Sequence, residues 1–480
     1  MSGPNALRRT EEANAARFEE RHAGQHLFVA GTWLFWDGKH WVHDEGNAAA
    51  MRAMTALARQ QAECAEGLVK ALRQNDLPGQ RRIVKEAQAE LAWARRSANF
   101  TNVRNSLALA STKTALRCST DDLDAHKWLL NCANGVVDLH TGVLQNHDQA
   151  LRLTHLVPVA YDPKADQTGW RSFIDDLVGE QDGVAEFLQR AIGMSLVARP
   201  NKRLMVLLHG EGRNGKTTLI EAMKHIFGGY VRTAAPGCLM MKRAGAPTND
   251  VADLRGARMV MSSETEDGAW LDAPTVKAMT GGDTQKSRFL YKEFFEFVPV
   301  FTIWLSTNNL PKLKASDSAM WSRIRLVPFN KIFKIDTGFA SRLEAEYPGA
   351  LAWAVEGCLD WQKHGAGGLN EPESMLAAKA GYKEDVDSLK MFLEECCIVG
   401  EGLKCTPAEM SAAYSTWCKE NNVQRFGAQT LEKEMGVRGL YKKKSTGKRR
   451  WEGVAIGQVD QDRESGIIQT WALPAVRKSA

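Results

Sequence analysis

The stretch Gly210-Glu211-Gly212-Arg213-Asn214-Gly215-Lys216-Thr217-Thr218 holds a glycine, four residues, then Gly-Lys-Thr. Glycines at these points let the backbone turn tightly and aim its N–H groups inward, which suits phosphate. Lys216 is placed to pair with the β and γ phosphates of ATP, and the Thr217 hydroxyl to hold Mg²⁺. The apolar run "LMVLL" precedes the loop, and Leu219, Ile220, Met223, Ile226 and Phe227 follow at helical spacing. Strand, loop and helix therefore come in the order this chemistry needs.

Hydrolysis also needs an acid and a polar group near the γ-phosphate. Glu264 ends the strand-like "RMVMSSE", with Glu266 two residues on. Either could organise Mg²⁺ and water, since ligands of open α/β sheets gather at the carboxyl ends of strands. Asn308 follows the third apolar run, "VFTIWLST", and could orient water. Arg323 and Arg325 alternate with Ile324 and Leu326, so both are expected on one face of a strand. An arginine from a neighbouring subunit can complete a phosphoryl-transfer site.

The elements that position these groups are legible in outline. Three apolar strands separated by helix-compatible segments predict a parallel α/β layer. Ahead of it, "HLFVAGTWLFWDGKHWVHD" reads as hairpins, and residues from about 46 to 113 as helices broken near Pro78-Gly79. Asn134-Gly135 and Thr141-Gly142 are turn candidates, "LRLTHLVPVAYDP" alternates like a strand, and Gly169 to about Arg199 is helical. Behind the core, residues 337–365 read as helices, and a further helical section follows "GAGGLN". No repeat of solenoid period is present.

The 480 residues suit two to four domains, and 62 basic against 57 acidic residues leave a net charge of only +5. Charge distribution is more telling: Arg438–Trp451, "RGLYKKKSTGKRRW", has seven basic residues and no acid. A basic wing with Lys442, Lys443, Lys444, Lys448, Arg449 and Arg450 would bind DNA in a salt-dependent way. Nine cysteines without a CxxC pair predict free, buried thiols and a reducing, cytoplasmic setting. The first residues lack a secretory core, and no apolar run is long enough for a membrane.

"GEGRNGKTT", "VMSSETEDG", "KAMTGGDTQKSRFLYKEFFEFVPVFTIWLSTNNLP" and "WSRIRLVPF", in this order and spacing, resemble superfamily 3 helicases. In particular they resemble the phage and plasmid primase–helicase family that includes poxvirus-type enzymes. "GTWLFWDGKHW", "NGVVDLHTG" and "FLEECC…LYKKKSTGKRRWEGV" resemble its flanking modules. The resemblance implies a multidomain α/β chain. Its parts would be a flexible start (1–25), an N-terminal α+β domain (26–168) and a helical collar (169–200). An AAA+-type P-loop core (201–335), a helical lid (336–375) and a winged-helix-like domain (376–480) would follow.

It further implies a hexameric ring with ATP between subunits, single-stranded DNA in the channel and 3′-to-5′ movement. Lys216 and Thr217 match Walker A, Glu264 best matches the Walker B acid, and Asn308 the polar sensor. Arg323 best matches the arginine finger, with Arg325 second. Many members have two adjacent acids where Ser263-Glu264 stands here, so the roles of Glu264 and Glu266 stay open. A channel hairpin would carry Lys292 at its tip, Tyr291 for base stacking, and Lys286 and Arg288 along its arm. Fewer than 30 residues precede the first resembling motif, which predicts helicase without priming activity and a separate primase or initiator as partner. The alternatives are an initiator that binds duplex origin DNA through residues 376–480, and a remodelling ATPase without DNA.

Overall fold

The computed structural model describes residues 9–74, 81–199, 202–241, 249–263, 269–287, 294–313, 317–365, 368–420, 425–445 and 448–457. Helix α1 (Glu11–His22) begins where the Thr10 side chain accepts from Ala13 N–H. The aromatic segment then folds as the expected meander, β1 (His26–Val29), β2 (Thr32–Trp36) and β3 (Trp41–His43). Helices α2 (Ala48–Gln74), α3 (Arg81–Ser97) and α4 (Phe100–Ala110) follow. Phe18, Trp33, Met54 and Leu107 form a core between them.

A second antiparallel meander is β4 (Leu129–Cys132), β5 (Gly135–Asp138) and β6 (Val143–Gln145), with its turns at the two expected Xaa-Gly pairs. The stretch 151–163 departs from expectation. It joins no sheet and makes only an isolated bridge, Cys132 to Val157. Its backbone groups serve several elements instead: Leu153 O accepts from Trp41 N–H, His155 O from the Asn131 side chain, and Leu156 O from Gly229 N–H. Pro158 removes a donor as well, so an alternating pattern here makes a strap rather than a strand.

Helices α5 (Thr168–Val178) and α6 (Val184–Ser195) come next. The central sheet takes β7 (Met205–His209), β8 (Val231–Thr233), β9 (Met259–Ser263), β12 (Thr302–Thr307) and β13 (Ile324–Pro328). Helix α7 (Lys216–Phe227) joins β7 to β8; α8 (Ala273–Gly281) and the β10 (Gln285–Ser287)–β11 (Phe295–Phe297) hairpin lie between β9 and β12. The order is β13-β7-β12-β9-β8, and all neighbours are parallel. The sheet thus takes the three apolar strands, the strand expected around Arg325 and one strand not expected, β8, and β12 is inserted between β7 and β9. Both faces are covered: one core holds Val206, Leu208 and Trp304 with α5, α6 and α7, another holds Leu207, Ile303 and Leu305 with α8. This explains the unbroken apolar runs.

Arg258, 2% exposed just before β9, stacks on Tyr230 at 4.4 Å and donates to the Leu129 and Leu196 carbonyls. It ties β4 and α6 to the sheet. Helix α9 (Ser318–Trp321) leads into β13, and α10 (Phe339–Glu344), α11 (Tyr347–Lys363) and α12 (Glu373–Asp385) follow. The last part is α13 (Ser388–Cys396), β14 (Cys397–Cys405), α14 (Pro407–Glu420), α15 (Ala428–Val437), β15 (Tyr441–Ser445) and β16 (Lys448–Ile456). Its sheet, ordered β14-β16-β15, closes over a separate core of Phe392, Tyr414, Trp417 and Trp451. The cysteines are free, six of them buried, and no helix of the described residues is long and apolar enough to cross a membrane.

Candidate functional site

The loop expected to bind phosphate sits where β7 ends and α7 begins, and two of its three glycines, Gly210 and Gly215, are sterically required. A Cβ on Gly210 would fall 2.1 Å from Asn214 Nδ2 and 2.2 Å from Phe329 O. Gly215 has φ +78°, and its Cβ would meet Leu177 Cδ2 at 2.2 Å. Arg213 also takes a left-handed φ of 66°, which a non-glycine residue holds only when its surroundings fix it. Here Phe333 N–H donates to Arg213 O at 2.8 Å, and Asn214 Nδ2 to Phe329 O at 3.1 Å. The first N–H groups of α7, lacking partners within the helix, face the loop.

Lys216 is 5% exposed. Its Nζ donates to Gly210 O at 2.6 Å, Glu211 O at 3.2 Å, Asn214 Oδ1 at 2.8 Å and Asn308 Oδ1 at 2.9 Å. Burial lowers its pKa from the ordinary lysine value. Asn308, 92 positions along the chain, reaches it because β12 lies directly beside β7, with Thr307 opposite His209. His209 Nε2 lies 3.2 Å from Asn308 O, a second tie that sequence reading missed. Thr217 is exposed at the second position of α7, Thr218 half-buried, and Glu211, Gly212 and Arg213 are exposed on the loop.

Ser263 ends β9 opposite Ser306 of β12, so β9 runs toward this site. Glu264 and Glu266 lie outside the described residues. The donor set fits Mg²⁺-ATP: a buried amine, an exposed hydroxyl and a glycine cradle that a Cβ would fill.

The two arginines have different partners. Arg323 precedes β13 and donates to Thr280 Oγ1 at 3.0 Å and Ala319 O at 2.7 Å. Burial lowers its pKa, with Arg203 adding to the effect. Arg325, on the strand itself, meets Glu371 at 3.1 Å and donates to two backbone carbonyls. Glu371 also binds Lys379 at 2.8 Å. Ile324 pairs with Met205 at the far end of β7 from the loop, so both arginines lie toward the opposite end of the sheet from Lys216.

Of the expected nucleic-acid contacts, Lys286 lies on β10 opposite Glu296, with its Nζ 5.2 Å from the Phe294 ring. The hairpin itself is present, whereas Arg288, Tyr291 and Lys292 fall outside the described residues. In the C-terminal hairpin Lys443 pairs with Arg450 and Lys444 with Arg449 across strands, and all four are exposed. Lys442 binds Glu432 at 2.7 Å and lies over Trp451; Lys443 and Lys404 share Glu452. Lys448 is in β16, its side chain outside the described residues.

Three family models match along the chain: D5 N terminal like over residues 15–179, a family of unknown function over 208–323, and Poxvirus D5 protein-like over 384–452. The first and last of these models, at the two ends of the chain, make it similar to D5-type proteins. Among its relatives, "Putative helicase L207/L206" of Acanthamoeba polyphaga mimivirus is 25% identical over 57% of this chain and 31% of its own. "Putative helicase 022R" of Frog virus 3 is 25% identical over 58% and 31%. This chain thus spans about a third of the length of the curated relatives it matches. The apo structure of the NrS-1 C-terminal region is 12% identical, with TM-score 0.39, over 62% of this chain and 77% of that one.

Proposed function

We propose that this chain is an ATP-driven DNA helicase of superfamily 3, acting in the replication of a phage, plasmid or integrated element. The observation that carries the reading is the 2.9 Å contact of Lys216 Nζ with Asn308 Oδ1 at the carboxyl ends of adjacent parallel strands. It sets a phosphate-seeking amine beside a polar group able to report on the γ-phosphate. The central domain is read as AAA+-type. Thr217 and Glu264 would hold Mg²⁺, which neutralises phosphate charge when bound. Lys216 and the loop N–H groups fix the phosphates, and Asn308 orients water.

Arg323 serves the site of a neighbouring subunit in a hexameric ring. Five strand residues at about 3.3 Å each separate the start of β7 from its own loop, too far for an arginine at that end to act in cis. Arg325 is less suited, because Glu371 already neutralises it. Lys286, Arg288, Tyr291 and Lys292 of the β10–β11 hairpin grip single-stranded DNA in the channel, and movement is 3′ to 5′. The α13–β14–α14–α15–β15–β16 succession supports a winged-helix-like module, with β15–β16 as its wing.

ATP hydrolysis measured with and without single-stranded DNA tests the reading. Stimulation that vanishes in Lys216→Ala supports a DNA motor; a Lys216-dependent rate indifferent to DNA removes it. The competing reading is an initiator that binds duplex origin DNA through the C-terminal module. Sequence-specific duplex binding that needs the β15–β16 cations but not ATP hydrolysis would select it.

A further inference from the structure

The chain's charge is not spread evenly. Residues 48–110, which carry α2, α3 and α4, hold ten basic and five acidic side chains. The rest of the chain is balanced at 52 of each, so the whole net charge of +5 resides in this segment. Of its acids, Glu66 binds Lys70 and Arg95, Glu86 binds Arg82, Glu90 binds Arg9 and Arg17, and Glu63 is exposed on α2. On α3, Ala87 and Ala94 are buried, and Arg81, Lys85, Gln88, Ala92 and Arg96 form the opposite, exposed stripe. No acid stands on that stripe. It leads to Phe100, the first residue of α4, which is 66% exposed. Asn99 N–H and the Asn102 side chain both donate to Arg96 O, which holds the end of α3 against the first turn of α4. Arg104 follows Phe100 by one turn on the same face, and α4 carries no acid. On α1, Glu12 pairs with Lys113 and Glu19 accepts from Ala115 N–H, both past the far end of α4, and Glu11 is half-buried. Arg81, Lys85, Arg96 and Arg104 make no ion pair among the described residues.

We propose that α3 and the start of α4 bind single-stranded DNA, with phosphates along Arg81, Lys85, Arg96 and Arg104 and a base stacked on Phe100. The site is separate from the β10–β11 hairpin and from the β15–β16 wing, and it does not depend on the phosphate-loop reading. Four cations without an acid among them repel one another and are matched by a polyanion. Helix α3 is about 26 Å long, enough to track several phosphates. Phe100 decides between polyanions. The core of a protein contact gathers apolar residues and is depleted of charge, whereas Phe100 stands between Arg96 and Arg104. An aromatic face set between cations suits an unpaired base beside its own phosphates, and a duplex offers no free base face there. Asn99, Thr101 and Asn105 are exposed around it and bring amide and hydroxyl groups that can meet any base edge.

Photocrosslinking of the full chain, without ATP, reads this site apart from any other DNA contact. The probe is a single-stranded oligonucleotide of 4-thiothymidine, and the products are mapped as tryptic peptides by mass spectrometry. Cleavage after Arg96 and Arg104 releases residues 97–104, which include Phe100. That peptide should carry the adduct. Unlabelled single strand should suppress it at a concentration at least about tenfold lower than duplex of the same length. Arg81→Ala combined with Lys85→Ala changes two exposed side chains and leaves both cleavage sites and Phe100 in place. At limiting DNA it should lower the adduct yield at least about threefold. No adduct on residues 97–104 overturns the proposal, as does competition by duplex equal to that by single strand, or an undiminished yield in the double variant. Adducts confined to the β10–β11 or β15–β16 hairpin overturn it too, and leave the motor reading standing. An ATPase rate indifferent to DNA removes the motor reading without touching this one.

Discussion

Lys216 and the cations of the β15–β16 hairpin are both basic groups proposed to meet phosphate, and the molecule holds them in opposite ways. Lys216 is buried, has four oxygen partners and stands at the meeting point of β7, α7 and β12. Lys443, Lys444, Arg449 and Arg450 are exposed on two strands, and Lys443 shares its acid with Lys404. A fixed, desolvated amine acts at one point and tolerates no replacement. A spread of solvated charges acts through its sum, so each member matters little and salt competes with all of them. One site should therefore fail abruptly and the other by degrees.

The sharpest way to break this contrast is Lys216→Ala, for which ATP hydrolysis should fall at least about 100-fold with the melting temperature nearly unchanged. A loss below tenfold would mean that the lysine is structural. Asn308→Ala removes one acceptor and should lower kcat about ten- to 100-fold with a smaller change in KM. A change in KM alone would show that Asn308 only positions the lysine. In the hairpin, Lys444→Ala, Arg449→Ala and Arg450→Ala combined should weaken DNA binding about tenfold at low salt. The slope of log affinity on log salt should also flatten by about 2 to 3. An unchanged slope would take these residues out of the DNA contact.

Alkaline pH separates the two regions further. Burial lowers the Lys216 pKa below 10.5, and phosphate binds the charged form. Nucleotide affinity should thus start to fall below pH 10.5, by about tenfold per pH unit once the amine is neutral. Affinity that holds steady to that pH would contradict a buried amine. The smallest effect is expected for Lys443→Ala, about twofold on DNA affinity, because Glu452 already offsets that charge.

What was legible in the sequence follows the same division. The loop was readable residue by residue, since strict glycine spacing reflects contacts a Cβ cannot enter. Asn308 was readable too, because strand ends in a parallel sheet converge. The insertion of β12 between β7 and β9 was not, as strand order is set by long-range packing that local patterning does not encode. The strap 151–163 misled because alternation reports side-chain burial, and here the hydrogen-bond partners were scattered. Arg323 and Arg325 have different partners because Glu371, from beyond the strand, claims only one of them.

The place of β12 also bears on how the chain is made. The strand neighbours of β7 are β12 and β13, which begin at Thr302 and Ile324. A nascent chain that has emerged only as far as Phe301 holds its phosphate loop on a strand with nothing on either side. β8 and β9 have paired by then but cannot reach it. Such non-local closure is slow and exposes apolar edges. Chains released before Thr302 should therefore accumulate as aggregates, whereas those extending past Pro328 can complete the sheet.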